Sequence, residues 1–282
     1  MGETRLAVRL MPFRNRRRWF PGWRFFEPIG WKGELGLGLA AWLGFLIGWH
    51  LLSISGWANP RLLPPPIEVL GALVELFNER DFGSDVLVSL RRIFLSFSAA
   101  VVLALPLGLL MGVFAFPENL LNPLVSPSRY LPAPSFVPLL LMWLGTGEMQ
   151  KLALLFLGVI WFLITLLMDN TKAVPRDLVE CSQTLGANRR QALIRVVFRS
   201  ALPNYVDTIR QMLAVSWTYL VIAEIVAATD GIGAMMMRAK RLVRVDEIMA
   251  GILVIGILGL CSDAILRGIR WGCFPYARDG RK

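Results

Sequence analysis

The sequence predicts an all-α membrane protein with about six transmembrane helices. Hydrophobic residues make up 55% of its 282 residues, and the mean hydropathy is +0.56, higher than is usual for a soluble domain. Several apolar runs reach or approach the roughly 20 residues that a helix needs to cross a bilayer. The first 34 residues are polar and Arg-rich, and the first apolar run shows no cleavage site, so a signal peptide is not predicted.

The apolar runs place six spans, at 35–54, 93–116, 124–144, 152–168, 208–228 and 248–268. The third contains Pro127, Pro132, Pro134 and Pro138, which predict a broken or kinked helix that other parts of the protein must shield.

The second span contains Pro106, which predicts a bend, and a GxxxG pattern at Gly108 and Gly112. This pattern indicates ordinary close helix packing more often than a dimer interface. Before this span, the segment 56–92 carries the stretch IEVLGALVELF after Pro64–Pro66, which predicts an amphipathic surface helix.

The positive charges predict that both termini lie in the cytoplasm. With the N-terminus inside, the cytoplasmic side holds 21 of the 30 lysine and arginine residues, counted over 1–34, 117–130, 169–207 with Arg210, and 267–282. The 1–34 segment is then a basic cytoplasmic segment whose RNRRRW stretch contacts lipid headgroups, and 271–282 is a cytoplasmic tail. The net charge of +10 is explained by these loops, so nucleic acid is not an expected partner.

Catalytic and metal chemistry are not expected on this chain. His50 is the only histidine, and Cys181, Cys261 and Cys273 form no CxxC spacing. No G-x-x-x-x-G-K-[ST] phosphate loop occurs, so the chain cannot itself be an ATPase of the phosphate-loop class.

A polar island at 176–203 interrupts the apolar runs. Its apolar residues have helical spacing on both sides of Gly186, which can adopt a left-handed conformation. The pattern therefore predicts helix–turn–helix, ended by Pro203. Two interpretations remain open: a helix that docks to a soluble partner, or an interfacial helix without one.

The island resembles the EAA loop of ATP-binding-cassette importer permeases. Glu180-Cys181-Ser182 is followed by three residues and Gly186, with small residues in place of the two alanines. The Ile-x-Leu-Pro of the family is not kept at Val196–Arg199, although Leu202-Pro203 matches a later Leu-Pro. Further stretches over about 60–270, such as SRYLPAPSFVPLLLMWLGTGEMQK, resemble the nitrate/sulfonate/taurine/bicarbonate branch.

The resemblance implies a type I importer permease fold in the bacterial inner membrane, with 60–270 as the transmembrane domain. It implies three kinds of protein partner: ATP-binding-cassette ATPase subunits, an extracytoplasmic substrate-binding protein and a second permease copy, most simply an identical one. It also implies that ATP and Mg are bound by the ATPase subunits, with no cofactor on this chain, and that the cargo is a small anion. Alternating access is coupled through the island, and the implied ATPase contacts are Glu180, Thr184, Leu185, Gly186, Ala187 and Asn188.

Candidates for the translocation path lie in the fifth span, at Ser216, Trp217, Thr218 and Glu224. Helix geometry lets only one or two of the mid-span residues Ser216, Trp217, Thr218 and Tyr219 face a path. A carboxylate inside hydrocarbon is costly, so Glu224, near the outer end of the span, is expected to gate the path, to anchor a helix by hydrogen bonds, to reach the outer interface, or to pair with a neighbouring group.

The segment 238–244 has two interpretations: a solvated loop, or an electropositive edge for a binding protein or an anion. Two other protein classes also stay open, an ion-coupled secondary transporter and a membrane scaffold. The first would need relay groups deep in several spans, whereas only Glu224 and Asp263 are acids well inside spans.

Overall fold

The computed structural model describes residues 30–57, 59, 62–227 and 229–277. The α-helices are α1 Trp31–Ile54, α2 Pro66–Glu79, α3 Phe82–Val113, α4 Ala115–Ser128, α5 Val137–Leu144, α6 Glu148–Lys172, α7 Arg176–Thr184, α8 Arg189–Gln191, α9 Arg199–Ala227, α10 Ile232–Arg241 and α11 Val245–Cys273. Short 3₁₀ turns at Ala133–Phe136 and Pro275–Ala277 and a π-helix at Ala192–Phe198 complete the described chain. The RNRRRW stretch and the last five residues of the predicted tail lie outside the described residues.

Within the residues that the structure describes, five helical stretches are long and apolar enough to cross a membrane: α1, α3, α6, the run Arg189–Val226 and α11. They coincide with five of the six predicted spans. All five begin before the predicted bounds: the run from Arg189 begins 19 residues before position 208, and α3 begins eleven residues before position 93. The predicted spans begin next to charged residues, whereas α3 continues through Asp85 and Arg92, which are both paired within the fold.

The third predicted span is not one helix. Residues 124–144 are divided among the end of α4, a 3₁₀ turn and the eight-residue α5. The predicted break is therefore confirmed, but the bounds of a single span at 124–144 were wrong. The prolines explain the division, since each removes a backbone donor and Pro132, which precedes the 3₁₀ turn, has extended backbone.

The helices α3 and α6 form the centre of the core and run in the same direction. Ser96 Oγ donates to the Leu152 carbonyl at 2.8 Å near one end of the pair, and Gly108 lies against Leu167 towards the other. Because the helices are parallel, the chain between them must return along the bundle. The pieces α4 and α5 with their 3₁₀ turn make this return.

The helix α9 packs antiparallel on α6, with Thr171 and Tyr205 hydroxyls 2.6 Å apart. The island thus lies at one end of the bundle, which is named the island end. Glu224 lies towards the opposite end, which is named the far end. At the far end, α2, α10 and the start of α11 share a second apolar cluster. The predicted amphipathic helix is α2, which buries Val69, Ala72 and Leu76.

Among the described residues, the first helix, α1, contacts other elements only near its C-terminal end. Ser53 is its single buried residue; its Oγ donates to the Leu63 carbonyl at 2.6 Å. Trp49 Nε1 donates to the Pro64 carbonyl at 3.1 Å. The remaining apolar surface of α1 is thus available to lipid or to another protein.

Candidate functional site

The island forms an exposed helix–turn–helix at one end of the bundle. The helix α7 has no buried residue, Glu180 and Thr184 are exposed, Ala187 is half-buried, and the Leu185 side chain is 84% exposed. An apolar side chain held this far into solvent at the tip of a turn is suited to contact with another protein.

The turn depends on Gly186, whose φ is +89°. This confirms the predicted left-handed conformation, which L-residues other than glycine rarely adopt. Apart from its two chain neighbours, no described residue has an atom within 4 Å of the position that a Cβ at Gly186 would occupy. A side chain at this position would therefore strain the backbone, and any clash would have to be with a partner protein.

The second half of the island begins with a capping box. The Asn188 side chain accepts from the Gln191 backbone N–H at 2.9 Å, and the Gln191 side chain accepts from the Asn188 N–H at 3.0 Å. The two bonds satisfy donors that a helix start leaves free. The island then continues through the π-helix into α9 without a loop, and Pro203 lies inside α9. The predicted end of the second helix at Pro203 was therefore wrong, and the turn is joined directly to a membrane-spanning helix.

A cavity of about 650 Å³ separates α7 from the bundle. Glu180 and Gln183 line it on the island side, and Glu118 and Lys172 line it on the bundle side. The Lys172 Nζ donates to Glu118 Oε1 at 2.5 Å. Glu180 therefore lines a cleft of mixed polarity, where its carboxylate can accept from a positively charged or hydrogen-bonding group.

At the far end, Glu224 lies in a buried ionic cluster. Its Oε1 accepts from Arg92 Nη1 at 2.7 Å and from Ser89 Oγ at 2.7 Å. Its Oε2 accepts from the Gly233 backbone N–H at 2.8 Å. The pairing and anchoring roles expected of Glu224 are thus observed, while a gating role stays a prediction.

Arg92 is the centre of this cluster, with a side chain that is 1% exposed. It also makes a double contact with Glu148, at 2.9 Å and 2.6 Å, and contacts the carboxylate of Asp230. Sequence reasoning placed Arg92 outside the membrane and missed this role. The buried Glu224 was the signal, because a carboxylate inside a span requires a cationic partner.

The other path candidates are oriented differently from one another. Ser216 is buried, with its Oγ bonded to the Met212 carbonyl at 3.2 Å. Trp217 is 4% exposed, and its indole N–H has no hydrogen-bond partner in the described chain. Thr218 alone of these three is exposed.

The segment 238–244 is less electropositive than its sequence indicates. Arg238 contacts Asp85 at 2.5 Å, and Arg244 contacts Glu75 at 3.0 Å. The hydrogen bond from Arg244 holds the pKa of Glu75 below its ordinary value, and the bonds to Asp246 and Glu75 raise the pKa of Arg244. Only Lys240 and Arg241 of the four cations have no ion pair within the described residues, so this surface is closer to the solvated-loop interpretation.

No group of three or more His, Cys, Asp and Glu side chains within the described ranges is placed to hold a metal ion. The features that remain are an exposed turn joined to a membrane-spanning helix, and a buried ionic cluster at the other end of the same helix.

Comparison with known proteins identifies the family. Residues 104–270 match the family described as binding-protein-dependent transport system inner membrane component. The chain is 32% identical to the taurine transport system permease protein TauC of Escherichia coli over 90% of this chain and 93% of the relative. It is 26% identical to the nitrate import permease protein NrtB of Synechocystis over 78% of this chain and 82% of the relative.

Solved structures agree on the fold. The inward-facing MetNI methionine ABC transporter has a chain that matches with a TM-score of 0.56 and 21% identity, over 66% of this chain and 94% of that chain. The secondary-transporter and scaffold alternatives are therefore set aside, and the chain is a transport component rather than an enzyme. The chain belongs to the family of inner-membrane permease components of binding-protein-dependent ATP-binding-cassette importers.

Proposed function

We propose that this permease moves a small anion by alternating access, driven by separate ATPase subunits that dock on the island. One observation carries the proposal: an exposed, capped turn continues directly into a membrane-spanning helix. A rigid connection of this kind can pass the closing of a docked ATPase dimer to the membrane helices.

The island residues proposed to contact the ATPase divide into two groups. Leu185 supplies an apolar anchor, and Glu180 faces the cleft beside the bundle. Gly186, Ala187 and Asn188 fix the turn, and Thr184 caps α7 through its hydroxyl bond to the Cys181 carbonyl at 2.7 Å. ATP and Mg belong to the ATPase subunits, as does the phosphate loop that this chain lacks.

The path is proposed to lie between two identical copies, along the exposed face of α9. Gln211, Val215 and Thr218 are exposed and lie on one face, at helical spacings of four and three residues. Of the candidates predicted in the fifth span, Thr218 is the one whose hydroxyl is available to cargo. The buried Ser216 and Trp217 instead pack inside the chain.

The cargo is proposed to be a small oxyanion or an organic sulfonate. The support is the names of relatives, which are transport proteins for taurine, aliphatic sulfonates and nitrate. A substrate-binding protein would deliver the cargo at the far end, which is the outer end if the termini lie in the cytoplasm as the charge distribution predicts. The exposed apolar surface of α1 is then in contact with lipid.

The test is a pull-down of the native complex in mild detergent with the Gly186→Arg variant. Strain at φ +89° and the added side chain should abolish recovery of the ATPase, while insertion in the membrane is unaffected. The matched control is Gly83→Arg, because Gly83 at the far end has open space around it and no positive φ. Recovery of the ATPase with Gly186→Arg, at the level seen with Gly83→Arg, would contradict the proposed dock.

A further inference from the structure

One helical run joins the island to the ionic cluster. The run Arg189–Val226 is 38 residues long, and at 1.5 Å per residue Arg189 and Glu224 are roughly 50 Å apart along it. No loop interrupts this run. A displacement of the island therefore moves the Glu224 carboxylate at the far end.

The two oxygens of the Glu224 carboxylate accept hydrogen bonds from two different helices. Oε1 accepts from Arg92 and Ser89 of α3, whereas Oε2 accepts from the Gly233 N–H at the start of α10. A Cβ at Gly233 would lie 2.6 Å from Glu224 Cβ. The backbone of α10 therefore lies directly on α9, and the two cannot move apart without breaking a buried charged hydrogen bond.

The turn at 229–231 is fixed by the same group of side chains. Arg92 Nη1 donates to the Asp230 carbonyl at 2.8 Å, and the Ile232 N–H donates to Ser89 Oγ at 3.0 Å. The Gly231 N–H donates to Asp85 at 2.7 Å. Asp230 nevertheless keeps a half-exposed side chain, so the turn is both tied to the cluster and open to solvent.

We propose that Arg92, Glu224 and Ser89 form a latch that makes the turn at 229–231 follow α9 during the transport cycle. The inference rests on the proposed function, because it takes the island as the point where ATPase movement enters. Its consequence is that the surface facing the binding protein changes with the nucleotide state of the ATPase. Arg92, Glu224 and Ser89 are positioning residues, which act through the turn rather than on the cargo.

The test measures the accessibility of the turn in two nucleotide states. Thr229→Cys is introduced after Cys181, Cys261 and Cys273 are changed to alanine. Thr229 is suitable because it is exposed and its backbone carbonyl, rather than its side chain, accepts from Arg238 at 2.8 Å. The complete permease–ATPase complex is placed in nanodiscs. The rate of maleimide labelling is then compared without nucleotide and after trapping with ATP and vanadate, and the rates should differ.

The difference should be lost in the Glu224→Gln variant. A glutamine has one acceptor oxygen and one NH₂ donor, so it cannot accept from Arg92 and from Gly233 with separate oxygens. Arg92 keeps Glu148 and Asp230 as partners, so its charge is not left unpaired. Ser89→Ala is a milder second variant that removes the bridge between Glu224 and Ile232 without a change of charge, and it should reduce the difference.

The matched control is Glu75→Gln, which removes the α2 carboxylate that pairs with Arg244 and leaves the Glu224–Arg92 pair in place. This control should keep the state-dependent labelling. Two results would overturn the latch. One is an equal labelling rate in both nucleotide states of the Thr229→Cys protein without a further substitution. The other is an undiminished difference in labelling rate in both Glu224→Gln and Ser89→Ala. ATP hydrolysis by the complex is measured in every sample, because a missing ATPase would contradict the proposed function rather than the latch.

Discussion

At the residue scale, two glycines determine how closely α3 and α6 pack. A Cβ at Gly108 would lie 2.7 Å from Leu167 Cβ, and one at Gly112 would lie 2.9 Å from the Met168 carbonyl oxygen. These contacts are within one chain, so the GxxxG pattern serves ordinary packing, as the sequence predicted. The absence of a side chain lets the two helices approach along the Gly108–Gly112 face.

The substitution Gly108→Leu should therefore destabilise the permease. A larger side chain in a packed interior costs typically about 1–3 kcal/mol, because neighbouring side chains and backbone must shift. The midpoint of thermal unfolding in detergent should fall. Gly38→Leu on α1 is the control, since nothing lies within 4 Å of its Cβ position, and an equal fall in both variants would argue against the packing role.

At the element scale, the sequence predicted helices better than it predicted where they end. Apolar runs located α1, α6 and α11, but the start of α3 was set at position 93 because Arg92 looks like the edge of a span. The helix in fact begins at Phe82, since Arg92 is neutralised by carboxylates from α6 and α9. Charge pairing between helices distant in sequence is not visible in hydropathy.

The break in the third span, in contrast, was predicted from the sequence. Its prolines predicted the break, and the structure confirms it between α4 and α5. The island was likewise predictable, because Gly186 and the helical spacing on both sides are local signals. The capping box at Asn188 was not predicted, although its Asn-x-x-Gln pattern is a local signal for one. The π-helix that follows it had no evident signal.

The second half of the island should depend on this capping box. Replacing an N-cap asparagine by alanine costs about 0.5–2 kcal/mol of helix stability. In Asn188→Ala, the backbone amides from Gln191 onward should exchange with deuterium faster, as measured by mass spectrometry. Asn188→Asp is the control, because aspartate still accepts from the Gln191 N–H; equal exchange in the two variants would show that the cap does not hold the helix.

At the scale of the whole molecule, α9 is tied to other helices at both ends. The Glu224–Arg92 pair joins it to α3 at the far end. Near the island end, Arg210 pairs with Asp263 at 3.2 Å, and Asp207 pairs with Arg270 at 3.0 Å, which joins it to α11. Charged pairs at both ends oppose relative sliding of these helices. The cost is greatest at the far end, where sliding would separate the buried charges of Glu224 and Arg92.

Each permease copy should therefore move as one rigid body. The change of shape during transport should then occur at the contact between two copies. A short bifunctional thiol reagent that links Asn170→Cys on α6 to Thr208→Cys on α9 should leave binding-protein-dependent uptake intact in a background free of native cysteines. These side chains already touch, with Asn170 Nδ2 donating to Thr208 Oγ1 at 2.7 Å, so the link restrains nothing that moves.

Linking Thr218→Cys of one copy to the same position of the other should stop uptake, because that link spans the proposed path. Loss of uptake with the 170–208 link would instead mean that α6 and α9 separate during transport, and the rigid-body description would fail.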